Sequence, residues 1–260
     1  MNLVEQLKDP NWAIPDWLYN SIGLRNPEKT ESLKPFYDFV LNEGAQIPGD
    51  IAEFGVYRGD SLLSTGLLLA RMKLNKRVLG FDTFSGFPVF TKQDHLGVFE
   101  KLYKEGKISK WHYEATQILC EAEKLELYKQ HQFQATSLEL VKKRISTLQL
   151  DNIDLHVGVF KDSLPQVKSH TRYCAVLMDC DLYASYNEVL PHCWERLSPG
   201  GLIYLDEYFS LKYPGARIAI DEFCQKIGTT PERVLAYAKQ GEFERWYLRK
   251  PRTLASRNLL

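Results

Sequence analysis

Four acidic residues stand at the ends of two strongly apolar runs of the chain. The runs are YCAVLMD (173–179) and GLIYLD (201–206), and the acids at or just beyond their ends are Asp179, Asp181, Asp206 and Glu207. Parallel strands would bring all four carboxylates to one edge of a sheet, where they would repel one another unless a cation lay among them. Oxygen ligands alone favour Mg²⁺, with Mn²⁺ as the alternative. The spacing therefore predicts a divalent metal site, against the simpler alternative that these acids cap helices and face water.

A glycine-containing loop follows an earlier apolar run. It reads Glu53-Phe54-Gly55-Val56-Tyr57-Arg58-Gly59 and leads into an apolar, helix-like stretch. Nucleotide loops also connect a strand to a helix, but this one lacks the GxGxxG pattern, and Glu53 would repel a pyrophosphate. An acid here suits a ligand with a cationic amine and no phosphate, and S-adenosylmethionine has both properties. The alternative is a tight connection that binds nothing.

An acid also ends the next apolar run, RVLGFD (77–82). Its position at a strand end would let Asp82 accept both hydroxyls of a ribose, although aspartate also caps turns for purely local reasons. Together with Glu53 and the two loop glycines, Asp82 favours an adenosine-containing cofactor. Three further candidates for contact with the adenine follow the run IDLHVGV (153–159), and these are Gly158, Asp162 and Ser163.

The elements that must position these residues alternate between strands and helices. Five apolar runs read as buried strands, and these are the four named above and DIAEFGV (50–56), which leads into the glycine loop. Helical segments separate several of them, which favours an α/β fold with a mostly parallel sheet covered on both faces. Capping signals place helix starts at Asp60, at Thr136 with Glu139, and at Ser185 with Glu188. A further helix is expected over Pro214 to Ile227, ended by Gly228, and residues 233–238 and 245–250 are expected to form a closing antiparallel hairpin.

Two regions do not fit this alternation. Residues 1–48 have a helical pattern broken by prolines and rich in aromatic side chains, so they are expected to form an N-terminal helical cap, which could mediate pairing of two copies. Residues 49–260 would form the main domain. Within it, residues 90–135 are too long for a bare loop and are expected to be a helical insertion over the sheet edge, a candidate lid.

Composition excludes several classes of protein. The chain has 260 residues, and 33 basic residues balance 33 acidic ones, so no strong global field for nucleic acid or anionic lipid exists. The apolar stretch Leu62 to Met72 is too short to span a bilayer. Five cysteines without a CxxC pair, and a start without a signal-like segment, favour a cytoplasmic protein with neither nucleic acid nor membrane as partner.

The chain resembles the macrocin O-methyltransferase family, also called the TylF-like family. The resemblance is carried in order by GDIAEFGVYRGDS, VLGFDTFSGFP, GVFKDSLP, LMDCDLYASYNEVL, LSPGGLIYLDEY and PGARIAIDEF, from about Gly49 to Phe223, with RWYLRK similar as well. It implies a class I methyltransferase fold with a seven-stranded sheet, S-adenosylmethionine as cofactor and Mg²⁺. It also implies methylation of a hydroxyl on a small molecule, typically a deoxysugar of a glycosylated natural product.

The resemblance also implies roles for single residues. Asp179, Asp206 and Glu207 would be the metal ligands, and Asp181 would be the general base. The residues expected to contact the cofactor are Glu53, Gly55, Val56, Tyr57, Gly59, Ser61, Asp82, Thr83, Gly158, Asp162, Ser163 and Asp179. Two departures stand out: the family usually has Asp-Asp at Asp206-Glu207, and often Ser-Thr at Ser185-Tyr186.

Two other functions compete with this interpretation. An NAD(P)-dependent sugar-modifying enzyme would share the α/β fold but needs a fuller glycine fingerprint. A catalytically silent homologue would bind S-adenosylmethionine or a partner protein without transferring a methyl group, and Glu207 is the feature that favours it. The acceptor itself stays open between a sugar hydroxyl, a phenolic or catechol-like hydroxyl and a surface-polysaccharide unit.

Overall fold

The protein is built on one seven-stranded sheet, as expected. The computed structural model describes residues 2–122, 136–235 and 243–252. The strands are β1 (Asp50–Phe54), β2 (Val78–Asp82), β3 (Ile153–Val157), β4 (Tyr173–Met178), β5 (Leu197–Leu205), β6 (Glu232–Arg233) and β7 (Trp246–Arg249). Their order across the sheet is β3-β2-β1-β4-β5-β7-β6. Strands β1 to β5 pair in parallel, whereas β7 runs antiparallel to both β5 and β6.

The sheet order reverses between β1 and β4. The chain moves outward from β1 to β2 and β3, then returns to β4 on the other side of β1 and continues to β5. Helices that leave neighbouring strands in opposite directions open a crevice at the carboxyl ends of those strands. All six residues of β4 are buried, as a strand covered on both faces requires. The fold thus directs Gly55 and Asp179, which follow β1 and β4, into one crevice.

Helices cover both faces of this sheet. They are α1 (Leu3–Lys8), α2 (Asp16–Ser21), α3 (Lys34–Leu41), α4 (Glu43–Gln46), α5 (Asp60–Arg71), α6 (Val98–Lys104), α7 (Lys110–Ala122), α8 (Leu138–Thr147), α9 (Phe160–Ser163), α10 (Tyr183–Arg196) and α11 (Pro214–Ile227). One apolar core joins the N-terminal helices and α5 to the sheet, and a second joins α10 and α11 to its other face. No helix among the described residues is both long and apolar enough to cross a membrane. All five cysteines are free thiols.

The N-terminal segment packs on one face of the sheet. Phe36, Tyr37 and Val40 of α3 are buried in the same core as residues of β1 and α5. Arg71 at the end of α5 donates hydrogen bonds to the carbonyl oxygens of Leu7 and Trp12, at 2.7 and 2.8 Å. These contacts join the segment to the helix that follows the glycine loop. The division into a cap and a main domain, and the pairing of two copies, stay predictions.

The insertion is helical where it is described. It contains a 3₁₀ turn (Lys92–Asp94), α6 and α7, whereas residues 123–135 lie outside the described part of the chain. The carboxylate of Asp94, which is fully buried, accepts a hydrogen bond of 2.8 Å from the backbone N–H of Tyr183, the first residue of α10. His112 Nε2 lies 2.8 Å from the carbonyl oxygen of Ser210, just after the turn that carries the second acidic pair. The insertion therefore contacts both segments that carry the acids.

Three predicted helix starts were wrong in detail. Asp60 is the first residue of helix α5 and not its cap. The cap position is Gly59, which has a left-handed φ of 82°, and no side chain caps the helix there. The cap of α8 is Ser137, whose hydroxyl accepts from Leu140 N, while the Thr136 hydroxyl instead bonds to the Tyr57 carbonyl oxygen. Local spacing could not reveal these tertiary contacts.

The third correction concerns α10. Ser185 lies inside this helix, which begins at Tyr183, and the distant Asp94 supplies the carboxylate at its first turn. The helix over Pro214–Ile227 is confirmed, with Gly228 at φ 68° as its C-cap. The closing hairpin is confirmed for β6 and β7, while residues 236–242 between them lie outside the described residues.

Candidate active site

A cavity of about 600 Å³ opens at the crevice between β1 and β4. Its size is that of a site for one or two small molecules. Six of the residues singled out in the sequence line it, and these are Gly55, Tyr57, Asp82, Thr83, Asp179 and Asp181. Residues that the sequence did not indicate as site residues complete the wall: Arg25, Gly86, Phe87, Pro88, Val89, Thr136, Val159, Phe160, Lys161, Cys180, Ala184, Ser185 and Glu188. The remaining predicted residues are not part of the wall.

Gly55 joins the glycine loop to the first acid. Its φ is 94°, and a Cβ placed there would lie 1.6 Å from the carbonyl oxygen of Asp179. The Asp179 N–H in turn donates to Phe54 O at 2.9 Å. No residue with a side chain fits this position, because a Cβ would overlap backbone rather than a movable side chain. The glycine loop and the backbone of the first acid, Asp179, are therefore in direct contact.

Glu53 lies in β1 beneath this loop and is 1% exposed. Its Oε1 accepts a hydrogen bond of 2.7 Å from the Ser61 hydroxyl. Burial raises the pKa of Glu53 to about 8, and the nearby charges of Asp179 and Asp82 act in the same direction. Because the side chain is not part of the cavity wall, the expected contact with the methionine amine stays a prediction.

The carboxylate of Asp82 accepts hydrogen bonds mainly from backbone N–H groups. Its Oδ2 accepts the N–H groups of Val56 and Tyr57, both at 2.8 Å, and its Oδ1 accepts the N–H of Phe84 at 2.7 Å. A carboxylate offers about four acceptor positions, so one remains on Oδ1. In this conformation Asp82 fixes the glycine loop and has room for one ribose hydroxyl. Contact with both hydroxyls stays a prediction that requires the loop to move.

Three carboxylates meet at the end of β4. Ligand oxygens of Asp179, Asp181 and Glu207 all lie within 4.8 Å of one another. Burial raises the pKa of Asp179 to about 7, with the charge of Asp206 as the next cause. Burial, followed by the charge of Asp179, also raises the pKa of both Asp181 and Glu207 well above their usual values. These acids therefore favour a shared proton or a cation among them.

The cluster fits a hard divalent ion. Its donors are all carboxylate oxygens, the ligand type that Mg²⁺ prefers, and they lie within 4.8 Å of one another. The set differs from the one that the resemblance implies, because Asp181 joins Asp179 and Glu207 where Asp206 was expected. Asp206 lies near enough for its charge to raise the pKa of Asp179 and Asp181, and burial raises its own pKa. Asp181 also has a left-handed φ of 58°, a conformation uncommon outside glycine and typical of functional sites.

The two departures from the family pattern contact each other. The Tyr186 hydroxyl, fully buried, lies 2.5 Å from Glu207 Oε2 and 3.0 Å from the Met178 carbonyl oxygen. Glu207 Oε2 also accepts the backbone N–H of Asp181 at 3.4 Å. The longer glutamate side chain is thus held between Tyr186 and Asp181. Neither residue alone indicated this contact in the sequence.

After β3, the residues that line the cavity differ from those that the sequence predicted. Val159, Phe160 and Lys161 line the cavity, whereas the neighbouring Gly158, Asp162 and Ser163 do not. The Asp162 side chain is exposed, and the Ser163 hydroxyl is buried without a hydrogen-bond partner among the described residues. The sequence indicated the correct strand end, but it placed the contacts on neighbouring residues. Whether any of the three touches adenine stays a prediction.

Several wall residues could not be found from local patterns. Arg25 comes from the segment between α2 and α3, and Thr136 from the end of the insertion, so both depend on long-range packing. Phe87 and Pro88 lie within the block VLGFDTFSGFP, and that block was the available signal for them. With Val89 they add three apolar residues to a wall that also carries the acids Asp82, Asp179 and Asp181.

Comparisons with known proteins agree with this architecture. A family model described as macrocin O-methyltransferase (TylF) matches residues 10–110 and 114–234. The mycinamicin III 3''-O-methyltransferase of Micromonospora griseorubida is 28% identical over 245 residues, covering 93% of this chain and 84% of that protein. The demethyldecarbamoylnovobiocin O-methyltransferase of Streptomyces niveus is 26% identical over 223 residues, covering 84% of this chain and 74% of that protein.

Solved structures share the fold. The O-methyltransferase NovP superposes with a TM-score of 0.64 at 22% identity, covering 85% of this chain and 80% of that one. A calicheamicin methyltransferase gives a TM-score of 0.63 at 22% identity, covering 95% and 89%. The expected class I methyltransferase fold is confirmed, and the NAD(P)-dependent alternative is excluded. The chain belongs to the macrocin O-methyltransferase (TylF) family and is an S-adenosylmethionine-dependent O-methyltransferase.

Proposed function

We propose that this enzyme methylates a sugar hydroxyl on a glycosylated natural product or surface glycan, with a divalent ion held by its carboxylate cluster. The observation that carries the proposal is the backbone contact between Gly55 and Asp179, which puts the cofactor loop beside the acids in one cavity. The acceptor class is supported by relatives whose names place them on mycinamicin and a novobiocin precursor. A methyl donor and a coordinated hydroxyl could then lie side by side.

The carboxylates would hold the ion through Asp179, Asp181 and Glu207, with Asp206 close by. When bound, a divalent cation acts as a Lewis acid and lowers the pKa of a hydroxyl that it coordinates. This chemistry suits a sugar hydroxyl, which is too weak an acid to react unaided at neutral pH. Mg²⁺ is the proposed ion, with Mn²⁺ as the alternative.

Asp181 is the proposed proton acceptor. It lines the cavity, so an acceptor hydroxyl can reach it, whereas Asp206 does not line the cavity. Direct access is the argument for this role, because a general base must lie within hydrogen-bond reach of the proton that it accepts. Its closeness to Glu207 and Asp179 would also let Asp181 help to hold the ion.

Positioning would supply a further part of the rate. The glycine loop fixes the donor, Asp82 fixes the loop, and the apolar residues Phe87 to Val89 shape the acceptor side. Holding two reactants in attack geometry can lower a barrier by about 7–11 kcal/mol. Thr136, whose hydroxyl bonds to Tyr57 O, joins the end of the insertion to this loop and helps to exclude water.

An acceptor screen tests the proposed substrate class. The purified enzyme, Mg²⁺ and labelled S-adenosylmethionine are incubated with glycosylated macrolides and aminocoumarins, sugar nucleotides, surface-glycan fragments and catechols. We expect label on a sugar hydroxyl of a glycosylated compound, located by mass spectrometry of the released sugar. Transfer to catechols alone would contradict the sugar assignment while leaving O-methylation intact.

The sequence also left open a catalytically silent homologue, and that alternative depends on Glu207, whose carboxylate accepts a hydrogen bond from the Tyr186 hydroxyl. It predicts that S-adenosylhomocysteine binds equally well with and without Mg²⁺ and that no acceptor gains label. Our proposal predicts Mg²⁺-dependent transfer. Calorimetry of the cofactor product with and without Mg²⁺, together with the screen, separates the two.

A further inference from the structure

Arg25 enters the cavity from the N-terminal segment. It lies between α2 and α3, and its backbone N–H donates a hydrogen bond of 2.7 Å to the Ser64 hydroxyl on α5. The same hydroxyl donates to the carbonyl oxygen of Asp60, the first residue of α5, at 2.6 Å. Since α5 follows the glycine loop directly, these two bonds fix the main chain of Arg25 beside that loop.

The guanidinium of Arg25 has no protein partner within the described ranges 2–122, 136–235 and 243–252. No hydrogen bond or ion pair of its side chain is formed there, although the side chain lines the cavity with Gly55, Tyr57 and Asp179. The charge of Arg25 also acts on two buried acids, Glu53 and Asp179. Burial raises the pKa of Glu53 and Asp179, and the positive charge of Arg25 opposes that rise in both. Arg25 is therefore a cation without a protein partner in the described ranges, and it lines the cavity together with the acid Asp179.

We propose that Arg25 binds the carboxylate of the amino-acid end of S-adenosylmethionine. This inference rests on the proposed function, and it gives the N-terminal segment a direct role in cofactor binding. The amino-acid end carries an amine, which suits Glu53 and Asp179, and a carboxylate, which those acids would repel. A guanidinium matches a carboxylate with two parallel hydrogen bonds.

The described part of the cavity wall holds one other cation, Lys161, which is attached to a different strand end. Lys161 follows β3, which lies two strands away from β1 in the sheet order. Neighbouring strands are about 4.8 Å apart, so its backbone begins roughly 10 Å from the glycine loop. Of the two described wall cations, Arg25 is the one whose backbone is hydrogen-bonded to the helix that follows the loop.

The test compares two ligands that differ only at the amino-acid end. S-adenosylhomocysteine has the carboxylate, whereas 5'-methylthioadenosine lacks the whole amino-acid part. Calorimetry on the full-length protein is carried out with the parent, Arg25→Gln and Arg25→Lys. Lys29→Gln is the matched control, because Lys29 is a cation of the same segment that pairs with Asp16 at 3.5 Å and does not line this cavity.

We expect Arg25→Gln to weaken S-adenosylhomocysteine binding about 10- to 100-fold, the size of a lost charged hydrogen-bond pair. Arg25→Lys should lose less, methylthioadenosine should bind all variants alike, and Lys29→Gln should match the parent. Unchanged S-adenosylhomocysteine binding in Arg25→Gln would overturn the inference. Equal weakening of both ligands would overturn the inference too, because Arg25 would then affect the cavity as a whole and not the carboxylate of the ligand. Failure of the parent to bind S-adenosylhomocysteine would instead contradict the proposed function.

Discussion

At the scale of single residues, Tyr186 and Glu207 act as a pair. The resemblance placed a shorter aspartate and a threonine at these positions, and this chain changes both. The extra methylene of Glu207 brings its carboxylate within 2.5 Å of the Tyr186 hydroxyl while its oxygen stays near Asp179 and Asp181. The second change thus compensates the first, which argues against reading Glu207 as a sign of lost metal binding.

A double-mutant cycle tests this coupling. Tyr186→Phe and Glu207→Gln should each destabilise the protein, and their combined effect should differ from the sum by about 0.5–3 kcal/mol. The free energy of unfolding is measured in urea for all four proteins. Tyr247→Phe, which removes a more exposed hydrogen bond to Glu232, serves as the control and should cost less than about 0.5 kcal/mol. Additive effects of Tyr186→Phe and Glu207→Gln would show that the contact carries no coupling.

Asp181 lies in the carboxylate cluster with Asp179 and Glu207, and Asp206 lies close by, so matched amide variants can separate the roles of Asp181 and Asp206. Asp181→Asn should lower kcat by about 10²- to 10⁴-fold while binding of S-adenosylhomocysteine stays close to that of the parent. Asp206→Asn should affect kcat less, because Asp206 does not line the cavity. Single-turnover rates and Mn²⁺ titration by electron paramagnetic resonance measure both effects. Parent-like turnover in Asp181→Asn would remove its role as base, and loss of Mn²⁺ only in Asp206→Asn would restore the ligand set implied by resemblance.

The buried acids also predict a pH dependence of stability in the metal-free protein. Burial raises the pKa of Glu53 from 4.5 to about 8 and that of Asp179 from 3.8 to about 7. Between the unfolded and folded pKa values the folded chain keeps protons that the unfolded chain releases. Rising pH therefore favours unfolding across this window, and the stabilisation present at low pH is lost as pH passes the folded values.

Urea unfolding between about pH 5 and pH 8 should accordingly show a falling free energy of unfolding. Glu53→Gln and Asp179→Asn should each flatten the slope, because their amides do not titrate. Added Mg²⁺ should restore stability near the upper end of this range by favouring the ionised carboxylates. A flat profile in the metal-free parent would show that these acids are ionised in the folded state.

At the scale of elements, the glycine loop between β1 and α5 fixes the distance between this loop and the end of β4. Gly55→Ala places a Cβ 1.6 Å from the Asp179 carbonyl oxygen, so β1 and β4 must separate or the loop must move. We expect a loss of roughly 4 kcal/mol or more in unfolding free energy. Gly97→Ala is the matched control, since nothing lies within 4 Å of its added Cβ, and its stability should stay within about 0.5 kcal/mol of the parent. Equal stability of Gly55→Ala and the parent would mean that this contact is not rigid.

The central strands could be predicted from sequence because their physical signal is local. Buried parallel strands are apolar throughout, and YCAVLM and its neighbours end in glycines or acids where the chain leaves the sheet. Helix starts could not be predicted as well, since the partner of the first N–H of α10 is Asp94, far away in the chain. The left-handed φ of Asp181 could not be predicted either, because no spacing rule contains it.

At the scale of the whole molecule, three parts of the chain meet at one crevice. The sheet provides the acids and the glycine loop, the N-terminal segment provides Arg25, and the residue that follows the insertion, Thr136, completes the wall. The acids and the loop were visible in the sequence because each ends a strand. The contributions of the other two parts were not, because they depend on how distant segments pack against α5 and the loop.

Mg²⁺ binding is the measurement that bears most directly on the proposed chemistry. Calorimetry of the full-length enzyme with S-adenosylhomocysteine present should show one Mg²⁺ bound per chain, and Asp179→Asn should abolish that binding. Methyl transfer in the same preparation should stop with excess chelator and return when Mg²⁺ is added. Full transfer in excess chelator, with no heat of Mg²⁺ binding in the parent, would contradict a metal role for the carboxylate cluster.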